Sequence, residues 1–300
     1  MEPANPESPM NGIPDFMACW DYTQPAATAE RFLALLPQLT ESGDLQALLE
    51  LKTQLARTHS LRSQFDEAHT LLDEVEQGLT DATPRARLRC LLERGRSFNS
   101  AGRRSEALPC FEKAWQLALK HHEDALAVDA AHMMAIALPS AEQIRWHQQA
   151  ITLAERSKEE GAQRWLPSLW NNLSWTLFDQ GRLDEAMTLQ HKCLDWHEAH
   201  ERVKQAFIAR WSIGRILREQ GKSDEAWVSQ LALQEAMDEA GQAPDGYLFE
   251  ELGELALLRQ DPEVNSEEFF ARAWFLLSQE EWLVREAPER LARLKRLAKL

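Results

Sequence analysis

Asp129 and His132 stand one helical turn apart, and a carboxylate that orients an imidazole is the geometry of a general base. The same spacing also describes an ordinary hydrogen-bonded pair on a helix. No Ser, Cys or Thr nucleophile is identifiable beside it, so hydrolase-like catalysis by Asp129 and His132 ranks last among the functions weighed. Two histidine clusters raise the question of a metal: His121, His122, Glu123 and Asp124 at an expected turn, and His197 with His200, flanked by Glu198 and Glu201. A metal site needs three or four converging ligands, and here only two converge from one element. No metal and no cofactor is therefore expected. Neither GxGxxG nor GxxxxGK[ST] occurs, which removes phosphate-cradling loops. What remains is the chemistry of binding. Arginine offers a rigid fork of donors for carboxylate or phosphate. Asparagine donates and accepts, and so suits an extended peptide backbone. Tryptophan supplies rigid apolar contact area, and 11 of the 300 residues are Trp, seven of them between 146 and 227. Most of these are expected to fill the core.

Composition narrows the partners. The chain carries 33 basic and 48 acidic residues, a formal net charge of −15. Such a chain lacks the basic footprint of non-specific nucleic-acid binding, and an anionic membrane surface repels it. No run of 18 apolar residues suggests a transmembrane span, and the N-terminal stretch has no basic residue before Arg31 and no apolar core of a secretory signal. Cys19, Cys90, Cys110 and Cys193 form no CxxC and read as free, mostly buried thiols of a reducing cytosol. A cytoplasmic location follows as an expectation.

The elements that must position any site are helices. Residues 1–25 hold five of the 13 prolines and read as a flexible leader, with Phe16, Trp20 and Tyr22 available to dock. From Ala26 onward apolar residues recur at helical spacing, and residues 26–300 read as one domain. Four segments align on one loop: Ser63–Ala68, Gly102–Ala107, Gly181–Ala186 and Gly221–Ala226, all but the second ending in Asp-Glu-Ala. Their closing alanines are 39, 79 and 40 residues apart, so a degenerate copy belongs near Gln143 and a last one near Ser266. Six repeats result, near 44–80, 84–121, 124–158, 164–200, 203–240 and 245–279. Thr28 to about Ser42 reads as a capping helix kinked or ended by Pro37, and 282–300 as a second cap broken at Pro288. The basic residues of that tail (Arg285, Arg290, Arg293, Lys295, Arg296, Lys299) are expected to dock on the acidic last repeats, such as Glu250, Glu251 and Glu254, or to be solvated.

Each repeat places a small residue in its first helix (Ala56, Gly95, Ala131, Ser174, Gly214, Gly253) and another in its second (Ala68, Ala107, Ala186, Ala226). Trp170, Leu173, Ser174, Leu177, Ala186 and Cys193, and again Leu91, Gly95, Phe98, Ala107, Phe111 and Ala114, follow the motif of the tetratricopeptide-repeat family, which the chain resembles over roughly residues 44–280. Arg94, Gln143, Gln190 and Gln230 depart from it, and the period near 40 looks like the long-helix versions found in cargo adaptors and bacterial peptide-sensing regulators.

The resemblance implies an all-α, right-handed superhelical solenoid of six helical hairpins, whose first helices line a concave groove. In the family register the groove-facing set is Arg57, Arg96, Asn99, His132, Asn171, Asn172, Trp175, Trp211, Arg215 and Arg218. Peptide-sensing members of the family are understood to use groove Asn and Arg, which implies the same here. The expected function is a non-enzymatic scaffold or adaptor that holds an extended peptide, or an acidic segment of another protein, through these residues. The alternative is a small-molecule or signalling-peptide sensor of the regulatory type, though no DNA-binding helix-turn-helix is recognisable at the N-terminus. The partner expected is a protein or peptide with acidic and apolar side chains, not nucleic acid and not membrane.

Overall fold

Every predicted repeat folds as a pair of packed helices. The computed structural model describes residues 15–261 and 263–300, so the expected leader lies outside the described residues up to position 14. No strand occurs among the described residues. The chain packs as two compact units, Met1–Leu169 and Trp170–Leu300. In unit 1 a single 3₁₀ turn, Phe16–Cys19, precedes α1 (Pro25–Ser42). The hairpins α2 (Leu45–Leu61) with α3 (Phe65–Gly78), α4 (Pro84–Ser100) with α5 (Arg104–His121), and α6 (Asp124–Ala137) with α7 (Ser140–Arg156) follow, then one turn of helix, α8 (Glu160–Gln163). Unit 2 takes up α9 (Leu166–Asp179) from Trp170 and pairs it with α10 (Leu183–Ala199). It continues with α11 (Val203–Glu219) and α12 (Ser223–Glu239), α13 (Gly246–Arg259) and α14 (Ser266–Leu277), and ends in α15 (Glu281–Glu286) and α16 (Pro288–Leu297). Among the described residues no helix is long and apolar enough to cross a membrane.

The shared loop motif sets the hairpin turn. Ser63, Gly102, Gly181 and Gly221 all adopt left-handed backbone, with φ of 60°, 77°, 73° and 77°. The next residue's N–H then reaches back to the first helix: Gln64 to the His59 carbonyl, Arg103 to Phe98, Arg182 to Leu177 and Lys222 to Leu217, at 2.8–3.0 Å. These bonds satisfy carbonyls that a helix end otherwise orphans. Acidic residues open the second helices at Asp66 and Glu67, Asp184 and Glu185, Asp224 and Glu225, and Glu267 and Glu268, where negative charge meets the positive end of the helix dipole.

The small residues let paired helices nest. A Cβ added to Gly95 would stand 2.4 Å from the Phe111 ring, so the fully buried Phe111 fits α5 against α4 only because position 95 is bare. In unit 2 the family's usual aromatic is replaced by Gln190 and Gln230, both fully buried. Their amides donate to the Asn171 side-chain oxygen at 3.2 Å and to the Trp211 carbonyl at 3.0 Å. A hydrogen bond across the hairpin thus stands where a ring would pack.

Both ends are capped. Trp20 meets Phe32 edge-on at 5.3 Å and donates its indole N–H to Gln54 at 3.0 Å, while Phe16 packs on Phe32. Burying a ring of that size stabilises by about 2–3 kcal/mol. Pro37 does not end α1: the helix runs through to Ser42. The proline lies on the exposed face, where solvent serves the carbonyl it frees, and burial of Leu39 beyond it holds the helix on the core. At the other end Pro288 separates α15 from α16 and takes the first helical position of α16. Leu291 and Leu294 join the core of Leu252, Phe270 and Leu277. Arg290 pairs with Glu250 and Arg293 with Glu254, as the tail's charge predicts. Glu251 is held elsewhere.

Candidate functional site

The first helices carry one recurring ion pair. An arginine one position after a repeat's small residue meets an acid two positions before the small residue of the next repeat. Arg57 (after Ala56) donates to Glu93 (before Gly95) at 3.0 Å. Arg96 (after Gly95) donates to Asp129 (before Ala131). Arg215 (after Gly214) donates to Glu251 (before Gly253) at 3.2 Å. Sequence reading found the arginines but not Glu93 or Glu251 as their partners. The signal was available: an acid recurs two residues ahead of the small position in three repeats.

In unit 1 these pairs fuse into a network. Arg96 also donates to the other oxygen of Glu93 at 2.8 Å, and Arg89 donates to Glu50 at 2.7 Å. Arg85 lies 3.7 Å from both Glu50 and Glu123. The side chains of Arg57 and Arg96 are only 12% and 10% exposed, and that of Glu93 5%. Tyr22 and Trp20, stacked at 4.5 Å, lie against the Arg57 guanidinium. The cavity left among these groups is small, about 80 Å³. Asn99 sits half-buried in the last turn of α4, where its backbone carbonyl accepts from Gly102.

His132 is buried, 5.1 Å from Trp165 and 6.2 Å from His147, ring centre to ring centre. Asp129, its candidate catalytic partner, is engaged by Arg96. Burial pushes the His147 imidazole down to about 4, so the ring is neutral at pH 7. Burial also pushes the Cys90 and Cys193 thiols up to about 11, which keeps them protonated and unreactive.

Unit 2 presents rings where unit 1 presents charges. Trp175 on α9, Trp211 on α11 and Tyr247 on α13 form a half-buried row, with centres 5.9 Å and 6.2 Å apart. Phe178 meets Trp175 edge-on at 5.2 Å, and the Arg215 guanidinium lies 5.7 Å over the Phe178 ring. Arg215 and Arg218 converge on Glu251, Arg218 with both oxygens in reach at 2.5 and 3.1 Å. Burial pushes the Glu251 carboxyl up while Arg218 pulls it down. Arg215 keeps 32% of its side chain exposed, against 13% for Arg218. Asn171 and Asn172 are neighbours on α9, and Asn171 donates to the Asn172 oxygen at 3.4 Å while accepting from Gln190. Tyr247, pushed up to about 12 by burial and by Glu280, donates its hydroxyl proton to Glu280 at 3.2 Å.

The structure thus brings together Arg57, Arg96 and Asp129 in unit 1, and Trp175, Trp211, Arg215 and Arg218 in unit 2. These features define a helical-hairpin repeat protein in which side chains join first helices within each unit. A model of the tetratricopeptide repeat matches residues 171–200, the hairpin of α9 and α10. No curated protein matches the chain by sequence. Among solved structures it is similar to the apo form of RapI, at 12% identity, covering 87% of this chain and 75% of that one with a TM-score of 0.70. It is also similar to NprR in complex with its cognate peptide NprX (14%, 94% and 82%, 0.57). A tetratricopeptide repeat protein from Parabacteroides merdae is a third (15%, 93% of each chain, 0.52). The repeat match covers one hairpin, and the likeness to these structures shows that the chain has the fold of tetratricopeptide-repeat solenoids.

Proposed function

We propose that the chain is a non-enzymatic interaction protein that holds an extended peptide, or an acidic segment of another protein, on the first-helix face of unit 2. The observation that carries this reading is the row Trp175–Trp211–Tyr247 with the partly exposed Arg215 beside it. Half-buried aromatic rings held rigidly by their neighbours are the commonest anchors of protein recognition. Arg215 retains free donors for a carboxylate after its single bond to Glu251. That a structural neighbour, NprR, is seen with a cognate peptide supports the reading. The arginines of unit 1 play a different part, because their donors already serve Glu93 and Asp129.

The test is selection of peptides from a random displayed library on the immobilised protein, followed by titration of the enriched peptides against Trp175→Ala and Arg215→Gln. Both substitutions leave the Arg218–Glu251 pair intact. Losses of about tenfold or more in both variants are expected. Failure of any peptide to enrich, or equal affinity for both variants, would overturn the proposal.

A further inference from the structure

Unit 2 contains a second feature that the repeat motif does not require. In unit 2 the second helix α10 passes to α11 through three residues, whereas α12 and α13 are joined by six, Ala240–Asp245. Gln242, Ala243 and Asp245 of this link border a cleft of about 550 Å³ whose other walls come from α11, α12 and α13. Phe207, Trp211, Leu233, Met237, Tyr247 and Leu248 supply its walls. The cleft adjoins the aromatic row, because Trp211 and Tyr247 belong to both.

Several polar groups of the lining already have partners within the fold. The Trp211 indole N–H donates to the Tyr247 carbonyl at 3.2 Å, the Tyr247 hydroxyl donates to Glu280, and Asp245 caps α13 by accepting from the Tyr247 and Leu248 N–H groups. Lys204 lies exposed at the edge and makes no ion pair among the described residues. Against the walls of Phe207, Leu233, Met237 and Leu248 a polar group of an occupant loses its hydration and meets no donor or acceptor. The occupant gains by bringing apolar surface to the interior and a negative charge to the rim. The volume falls within the range of sites that enclose a whole ligand fragment, and it is ample for a single aromatic or branched aliphatic side chain.

We infer that this cleft is the anchor pocket for a partner peptide whose bulky apolar residue enters between α11 and α13 while an adjacent Asp or Glu meets Lys204. The inference rests on the peptide reading of unit 2 and names the sequence feature that such a peptide carries. It separates two parts of one surface: the aromatic row holds the chain, and the cleft selects the residue.

The experiment uses peptides enriched on the full-length protein, titrated against Ala243→Trp and Lys204→Glu. Ala243 is an exposed loop residue on the cleft wall and Lys204 is exposed, so neither substitution touches the core. Circular dichroism confirms that both variants fold. The enriched peptides are expected to share an aromatic or Leu/Ile residue within two positions of Asp or Glu. Filling the cleft with Ala243→Trp is expected to weaken them about tenfold or more, and Lys204→Glu to turn the acidic preference into a basic one. Peptides that lose affinity in Trp175→Ala yet bind Ala243→Trp undiminished would overturn the anchor pocket and leave the aromatic face standing. Peptides that bind all four variants equally would overturn both. A medium-chain fatty acid that displaces an environment-sensitive dye from the cleft, with no peptide able to do so, would also overturn the peptide anchor.

Discussion

In unit 1 the row of first helices is closed by charge. Arg57 and Arg96 share Glu93, Arg96 reaches Asp129, and the space among them is about 80 Å³. In unit 2 the same helical positions hold Trp175 and Arg215, a row of rings runs beside the Arg215–Arg218–Glu251 cluster, and a cleft of about 550 Å³ opens beside them. One backbone plan therefore carries two surfaces. A buried ion network resists a ligand, because any incoming carboxylate must displace one that is already placed and desolvated. A half-exposed aromatic row welcomes one, since its rings lose little freedom on binding. Charge on a groove list is thus a poor guide to where a ligand binds until each charge has been matched with its partner.

The largest effect that separates the units is expected at the shared carboxylates. Glu93→Gln leaves two guanidiniums buried in unit 1 with a weakened partner, and a loss of about 3–5 kcal/mol is expected in urea denaturation. Glu251→Gln is expected to cost less, because Arg215 already stands one-third in solvent and turns to water. Equal losses would erase the contrast between a closed and an open face.

A second difference is in acid response. The His147 imidazole of unit 1 is held neutral by burial, with a folded pKa of about 4 against an ordinary 6.5. Its contribution is fully present above pH 6.5 and is lost as the pH falls toward 4. Between pH 7 and pH 5 the loss is about 2 kcal/mol, and His147→Phe is expected to flatten that limb of the curve. Glu251 in unit 2 has the opposite sign. Its folded pKa is raised, so its contribution is fully present below the unfolded value of 4.5 and falls as the pH rises through the folded one. Melting temperatures of wild type and His147→Phe between pH 4.5 and 7.5 check the sign.

The smallest effect lies in the turns. Ser63 adopts φ of 60° where unit 2 uses Gly181 and Gly221. A side chain in that region costs about 1 kcal/mol or slightly more, so Ser63→Gly is expected to stabilise by that amount and Gly181→Ser to destabilise equally. Opposite shifts in urea midpoint would show that one turn serves both units.

The hairpins, their turns and their close-packed positions were legible because each depends on residues within one repeat: Gly95 needs only Phe111, and Gly181 only its own loop. The docking of Arg290 and Arg293 was legible from charge alone. The roles of Glu93 and Glu251 were not, because their arginines lie 36 residues upstream in a different hairpin, and a motif read one repeat at a time does not show its neighbour. Pro37 misled as a helix end because whether a proline stops a helix depends on which face it occupies, and position alone does not say. The cleft beside Trp211 is walled by residues of three helices and a loop, and no single repeat's sequence discloses the space they leave between them.

Three arginine–carboxylate pairs along the first helices, Arg57–Glu93, Arg96–Asp129 and Arg215–Glu251, draw their two halves from consecutive hairpins. A hairpin that supplies one half is not electrically finished by itself: cut out of its row, it would carry a charge whose answer the missing neighbour supplied. At those junctions the chain lengthens or shortens by whole hairpins only where the new neighbours happen to offer the complementary charge. The first hairpin owes nothing upstream, because Gln54 stands where three later ones carry the acid, and its amide oxygen accepts from the Trp20 indole instead.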